Sequence, residues 1–443
     1  MATGTPKTNG KRSTDFVRLE YPGKKSADGI LSTAPVHLVE SGQPHSTDNR
    51  LIYGENLGVL AALGKDCEVT GKVRLVYIDP PYATESTFHS RQLAHAYEDT
   101  LAGPEFIEVL RERLIWLHRL LAHDGSLYLH LDERMAFHFR VILDEIFGPG
   151  QYRNCITRKK CNPKNYTRNT YGNVADYILF YTKSDAYVWN RPVEPWTDER
   201  AAKEYQYVES ETGRRYKKVP IHAPGLRNGE TGKLWRGMMP PPGKHWQYTP
   251  ARLDEMDAKG EIYWSPNGNP RRIVYLDNSE GIPLQNIWLD VRDAHNQNIR
   301  VTGYPTEKPS EILRKIILAS SNPGDLVLDC FAGSGTTLAV ASELGRRWIG
   351  VDNSIEAIRT ILRRFSIGTE RMGDFVSDRN GEKEKQPDLL PGFELASDVI
   401  NHSHEPIIDF TLYSEQNLLS VLNASITDYP LVSNEKVGNT CPA

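Results

Sequence analysis

Residues Val73 to Tyr82, VRLVYIDPPY, decide the fold. The apolar run rich in Val, Ile and Tyr predicts a buried strand. Pro80 and Pro81 cannot donate ladder hydrogen bonds, so the strand must end before them. Asp79, Pro80, Pro81 and Tyr82 are thereby placed at a strand's carboxyl end, where open α/β sheets keep their ligand crevices. The tetrad suits transfer to an exocyclic amine. An aryl amine's lone pair is delocalised into its ring, and two acceptors on its N–H bonds would localise it. Asp79 offers a carboxylate and Pro80 a carbonyl fixed by ring geometry. Tyr82 offers a flat face on which a base could stack. A strand followed by a rigid surface turn would use the same residues, so the tetrad needs a partner elsewhere in the chain.

Working outward, Leu51–Gly54 reads as a short strand and Leu57, Leu60 and Leu63 as the helix after it. A polar loop over residues 83–98 is followed by a helix from Pro104 to Gly125, a strand at Ser126–Leu131 and a helix through Phe147. That βαβα rhythm predicts a parallel sheet with covering helices. Two further strands are expected at Asn154–Lys159 and Asp176–Thr182, joined by a basic loop. From about 184 to 300 the rhythm gives way to turn-rich, irregular sequence, with one short helix at Pro250–Lys259. Order returns with an amphipathic helix from Ser310. The division expected is a flexible leader over 1–48, a catalytic half over 49–183 and a recognition insert over 184–300. A cofactor half over 301–368 and an extension of unassigned role over 369–443 complete it.

The second constellation lies in that last ordered segment. A strand, DLVLDC, runs into Phe331-Ala332-Gly333-Ser334-Gly335-Thr336-Thr337, then a helix, then the strand WIGV ending at Asp352-Asn353. Glycines let backbone approach a ligand, and a helix N-terminus favours an anion. An acid closing the next strand can accept from ribose hydroxyls. No third glycine completes the dinucleotide fingerprint and no Gly-Lys-Ser/Thr makes a Walker loop. A small cofactor with one ribose and a carboxylate tail fits better.

Composition sets bounds. The formal charge of -4 is not that of a generally basic coat, yet residues 151–250 hold 18 Lys and Arg against 9 Asp and Glu, together with many Tyr and Trp. Such a local basic, aromatic segment has the character of a nucleic-acid footprint. Five scattered cysteines form no Cys-x-x-Cys pair and the histidines show no His-Glu-x-x-His spacing, so neither a disulfide framework nor a metal site is expected. No apolar run approaches the roughly 20 residues of a membrane span, and the N-terminus lacks a secretory core. A cytoplasmic, nucleoid-associated protein is expected.

Together the two constellations resemble those of the amino-methylating DNA methyltransferases of the N4-cytosine/N6-adenine superfamily. YIDPPY resembles the catalytic motif and LDCFAGSGTT the S-adenosylmethionine motif. Their order, catalytic motif first, is the family's permuted β arrangement, as in type III Mod-like adenine methyltransferases. LIYGENL resembles a cofactor-adenine segment with Glu55 in place of Asp. GYPTEKP resembles a cofactor-side stretch with Glu307 in place of Gln, and NVADYILFYTK a late-strand motif near the target base. The resemblance implies a doubly wound, mostly parallel Rossmann-like α/β sheet, circularly permuted, with an inserted target-recognition region. It implies S-adenosylmethionine bound by Asn56, Thr306, Lys308, Asp329, Phe331, Gly333, Ser334, Gly335, Thr336, Asp352 and Asn353.

Asp at the first catalytic position favours adenine N6 in this family. Cytosine N4 or RNA remains the alternative, with a non-catalytic DNA-recognition subunit and a small-molecule methyltransferase as other classes. Double-stranded DNA is the expected partner, with a cognate restriction endonuclease and a homodimer left open. Arg158, Lys159, Lys160 and Lys164, and Arg214, Arg215, Lys217 and Lys218, are the expected phosphate contacts. Charge runs are also ordinary solvated faces. Trp235, Trp246 and Tyr248 either support the insert or wedge into DNA.

Overall fold

The computed structural model describes residues 17–41, 48–81, 86–89, 95–99, 103–161, 169–291, 293, 300–302, 304, 307–371 and 406–427. The main sheet is built from β1 (Leu38–Ser41), β2 (Arg50–Tyr53), β3 (Val73–Ile78), β4 (Leu121–Leu131), β5 (Tyr152–Lys159), β6 (Ala175–Thr182), β7 (Ile287–Trp288), β8 (Leu326–Asp329), β9 (Arg347–Asp352) and β10 (Thr411–Glu415). They form one sheet in the order β1-β10-β2-β9-β8-β3-β4-β6-β5-β7. From β10 through β4 every neighbouring pair is parallel. Strands β6 and β5 then run antiparallel, as β1 does at the other edge. This is the mostly parallel α/β sheet expected, with β3 and β8 side by side at its centre.

The helices are α1 (Asn56–Leu63), α2 (Gly103–Leu120), α3 (Glu133–Phe147), α4 (Ser310–Ser320), α5 (Thr336–Glu343) and α6 (Ile355–Ile367). Helix α1 packs on α2 and α2 on α3, while α4 packs on α5. The core between sheet and helices is built from the residues whose periodicity predicted these elements, among them Leu75 and Val76 of β3, Leu114 and Leu117 of α2, and Leu328 of β8. Helix starts follow the local chemistry. Glu55 caps α1 through Gly58 N, Asp132 caps α3 through Arg134 N, and Ser354 caps α6 through Ala357 N.

The helix expected to run to Gly125 ends at Leu120, where β4 begins, and three larger boundaries also differ from the sequence reading. Within the leader, residues 27–31 are helical and Ile30 is buried, its carbonyl accepting from Trp116 Nε1 at 3.2 Å. Strand β1 is the sheet edge. The described part of the leader is thus fastened, because apolar residues among its Gly and Ser find the face of α2. In the C-terminal extension, Thr411–Glu415 enters the sheet between β1 and β2. Phe410 packs there against Trp348 and Phe365, with ring centroids 5.9 and 5.3 Å away. A five-residue strand flanked by polar sequence carries too little periodicity to be read alone.

The third difference is the insert. The compact second unit spans Arg191–Leu284, narrower than 184–300. Trp189 stacks on Phe180, and Asn190 Nδ2 donates to the carbonyls of Leu318 and Ser321 in the first unit. Ile287–Trp288 pairs with β5. The second unit has its own core of Ile221, Trp235, Trp246, Leu253, Met256 and Ile262. Trp235 and Trp246 therefore support its fold. Tyr248 packs beside them and accepts from Arg272.

Candidate active site

Asp79 directly follows β3, and Asp329 ends β8. Because these strands are hydrogen-bonded neighbours in parallel register, the acid-Pro-Pro turn and the glycine loop leave the same end of the sheet side by side. The two carboxylates feel one another: Asp329's carboxyl is pushed up to about 7, chiefly by burial and further by the charges of Asp79 and Asp352. Thr337 Oγ1 donates to Asp329 Oδ2 at 2.6 Å, and Phe331 N donates to Oδ1 at 3.0 Å. Asp329 thus shapes the start of the loop that its own strand feeds.

The loop itself is a cradle. Gly333 and Gly335 have φ of +49° and +73°, the left-handed region that side chains resist. A Cβ on Gly335 would lie 2.8 Å from Ile361 Cγ1. Asp352, at the end of β9, closes the cradle. Its carboxylate accepts from Gly333 N at 2.8 Å and from Ser354 N at 2.9 Å, and burial raises its pKa. Ser334 and Thr336 bond through their hydroxyls at 3.0 Å and are buried, while Asn353, which follows Asp352, is exposed. Phe331 packs against the main core.

Asn56 reaches this region from α1. Its Nδ2 donates to Cys330 O at 2.9 Å and its Oδ1 accepts from Arg113 Nε at 2.6 Å. Glu55, where the family pattern has Asp, caps α1 and pairs with Arg113. An extra methylene lets one carboxylate do both. These residues fit a cofactor carrying ribose and an amino-acid tail: backbone exposed by two glycines, an acid beside that backbone, and a desolvated acid at the loop's root.

Behind Asp79 stand three residues that the sequence reading did not assign to the site: Tyr77 and His130 face it, and Asp176 lies behind His130. His130, fully buried on β4, has Nδ1 3.9 Å from Asp79 Oδ1 and 2.8 Å from the Tyr77 hydroxyl. Its Nε2 lies 3.5 Å from Asp176 Oδ2. Burial holds the imidazole below its usual pKa, against the opposing pull of Asp79 and Asp176. Asp176 is held well below the usual carboxylate range: burial opposes this, and bonds from His130 and Lys160 overcome it. A histidine inside SLYLHL, flanked by fully buried apolar residues, was the available signal. Lys308, which the resemblance places at the cofactor, bonds Asp79 Oδ2 at 2.5 Å.

The basic residues are distributed differently from expectation. Arg158 is fully buried, its guanidinium engaged by Val291 O at 3.0 Å, Asp176 at 3.4 Å and Asp293. It locks β5 to its surroundings, so the phosphate contact expected of it is corrected to a structural one. Lys160 bonds Asp176 at 2.8 Å and Lys159 is half-buried. In the second unit Arg214 forks onto Asp277 at 2.7 and 2.8 Å, and Lys217 pairs with Glu204. Lys218 Nζ lies 3.5 Å over the Tyr263 ring and 3.8 Å over Tyr207, and Arg215 is exposed. Tyr82, Thr306 and Lys164 lie outside the described residues. Among the described residues no group of three or more His, Cys, Asp or Glu could hold a metal, and no helix is long and apolar enough to cross a membrane.

Comparison with known proteins agrees with this geometry. The DNA methylase family N6_N4_Mtase matches residues 73–363. The chain is 43% identical over 429 residues to Type II methyltransferase M.EcaI of Enterobacter cloacae, covering 95% of this chain and 90% of that protein. It is 28% identical over 364 residues to DNA adenine methyltransferase YhdJ of Escherichia coli, covering 77% and 94%. It is 28% identical over 364 residues to the Type III restriction-modification enzyme StyLTI Mod subunit of Salmonella typhimurium, covering 73% and 54%. With both motifs meeting at one sheet end and the family matched across them, the chain belongs to the N6/N4 DNA methylase family.

Proposed function

We propose that this protein is a site-specific DNA methyltransferase that methylates the exocyclic N6 of adenine in a base turned out of the duplex. S-adenosylmethionine is the methyl donor of the family to which the chain belongs. The observation that carries the reading is the placement of Asp79 and the glycine loop on adjacent parallel strands.

When bound, S-adenosylmethionine supplies a methyl group on a sulfonium, an excellent leaving group. Gly333 and Gly335 would present backbone to its amino-acid part, Asp329 would meet its ammonium, and Asp352 and Asn56 would hold the nucleoside. The chain's own work is to orient and polarise the amine. Asp79 and the Pro80 carbonyl accept its two N–H bonds, restoring lone-pair density on nitrogen. Pro81 fixes the turn and Tyr82 stacks on the base. The site needs no nucleophile from the protein, so holding both partners in line carries most of the rate.

M.EcaI is a type II methyltransferase by name, StyLTI Mod a subunit of a type III restriction-modification enzyme by name, and YhdJ a DNA adenine methyltransferase by name. The name of YhdJ, with Asp79, favours adenine over cytosine N4. Double-stranded DNA is the substrate, with Arg215, Lys217 and Lys218 as phosphate contacts, and a restriction endonuclease is the natural cognate partner. The expected setting is the cytoplasm, on the nucleoid. The test is transfer of labelled methyl to defined DNA with identification of the product nucleoside. N6-methyladenine supports the reading. Equal labelling of adenine-free DNA contradicts it.

A further inference from the structure

We propose that Lys308 is a positioning residue for the Asp79 carboxylate, acting with a buried Tyr77–His130–Asp176 chain behind it, rather than a cofactor contact. The proposal rests on the amino-methylation reading above.

The two oxygens of Asp79 have different neighbours. Lys308 Nζ grips Oδ2 at 2.5 Å, with the lysine side chain 8% exposed and the aspartate 18%. A charge-assisted bond at one oxygen restrains rotation about Cβ–Cγ and so biases the lone-pair directions of the other oxygen. Oδ1 lies towards His130 Nδ1 at 3.9 Å. Among the described residues, the titratable groups facing Asp79 are Lys308, His130, Tyr77 and Asp329.

The state of His130 follows from its partners. Nε2 faces the Asp176 carboxylate at 3.5 Å, a contact longer than a good hydrogen bond, and a proton on Nε2 is the arrangement that carboxylate favours. Nδ1 is then an acceptor and takes the Tyr77 hydroxyl at 2.8 Å. In that tautomer His130 backs Oδ1 without donating to it, so it does not compete with an amine N–H for that oxygen. Lys160 and Arg158 hold Asp176 in turn, at 2.8 and 3.4 Å.

Lys308 is itself fixed by its neighbour. Glu307 accepts from Thr302 N at 2.8 Å and Thr302 Oγ1 at 2.6 Å, and it pairs with the largely buried Arg364 of α6. Consecutive residues of opposite charge thus tie one short segment to α6 through Glu307 and to the catalytic acid through Lys308.

The experiment compares wild type, Lys308→Met and Lys308→Arg for kcat, KM and equilibrium binding of S-adenosylmethionine. It adds nitrogen NMR of the His130 ring in the full chain. Lys308→Met is expected to lower kcat about 100-fold, the scale of a misplaced reacting group. Binding of S-adenosylmethionine should stay within about threefold, because the lost contact is to Asp79 rather than to the cofactor, and a threefold change in Kd is only about 0.7 kcal/mol. Lys308→Arg should recover part of kcat. His130 should be neutral with its proton on Nε2. Unchanged kcat in Lys308→Met, or loss of cofactor binding with kcat preserved at saturation, overturns the proposal. So does a proton on Nδ1, which decides the matter even if Lys308→Met does not fold. Should wild type itself form no N6-methyladenine, the adenine reading fails, and the ring tautomer still judges the arrangement around Asp79.

Discussion

The Thr337 hydroxyl donates to Asp329 Oδ2 at 2.6 Å, joining the last residue of β8 to the first turn of α5 across the glycine loop. This bond and the Phe331 amide favour the ionised carboxylate. Burial outweighs them and leaves the group titrating at about 7.

Cofactor affinity should therefore depend on pH near neutrality. If Asp329 meets the ammonium of S-adenosylmethionine as a carboxylate, binding requires its proton to leave. Affinity should fall about tenfold per pH unit below 7 and level off above it. Calorimetric titrations from pH 5.5 to 8.5 check this. Asp329→Asn should bind weakly at every pH, without the slope.

Gly335→Ala should damage both fold and cradle. The residue sits at φ +73°, and its Cβ would press on Ile361. Left-handed strain and overpacking together should cost about 2–4 kcal/mol. Urea denaturation measures the stability loss, and cofactor binding should weaken in the protein that remains folded.

Arg158→Ala should behave as a core lesion. Removing the buried guanidinium takes the Arg158 partner from Asp293 and leaves Asp176 to Lys160, an effect of about 3–5 kcal/mol. The salt dependence of DNA binding by the folded fraction should be unchanged. Arg215→Ala, at an exposed position, should leave stability alone and flatten the salt slope by about one unit. Melting curves and binding titrations in 50–200 mM salt distinguish the two.

Acid should destabilise the protein partly through His118. Burial lowers its pKa to about 4, below the 6.5 of an unfolded chain. Below pH 6.5 the unfolded state binds the proton and the native state does not, so stability falls as pH drops. The contribution is on the order of 2 kcal/mol between pH 8 and pH 5. His118→Gln should be less stable at pH 8, having lost its edge contact with Phe147, yet show a shallower loss towards pH 5.

Much of this site was legible because its signals are local. Asp79-Pro80-Pro81 ends a strand by backbone chemistry alone, and Gly333-x-Gly335 announces backbone conformations that few other residues tolerate. The Lys308–Asp79 pair joins positions 229 residues apart, which no local pattern reveals. His130 was hidden because a strand buried on both faces hides which of its residues looks into a site. Arg158 misled because a charge run looks the same whether its members face solvent or a buried Asp176. Strand β10 depends on Phe410 finding Trp348, a contact that exists only once the sheet has formed.

The central claim is that Asp79 and the Gly333–Gly335 loop serve one methyl transfer. Its most direct test follows labelled methyl into DNA with wild type and Asp79→Ala, while cofactor binding is measured on both. The expected result is N6-methyladenine from wild type, none from Asp79→Ala, and cofactor affinity within about threefold in the two. Methylation by Asp79→Ala at the wild-type rate would contradict the account.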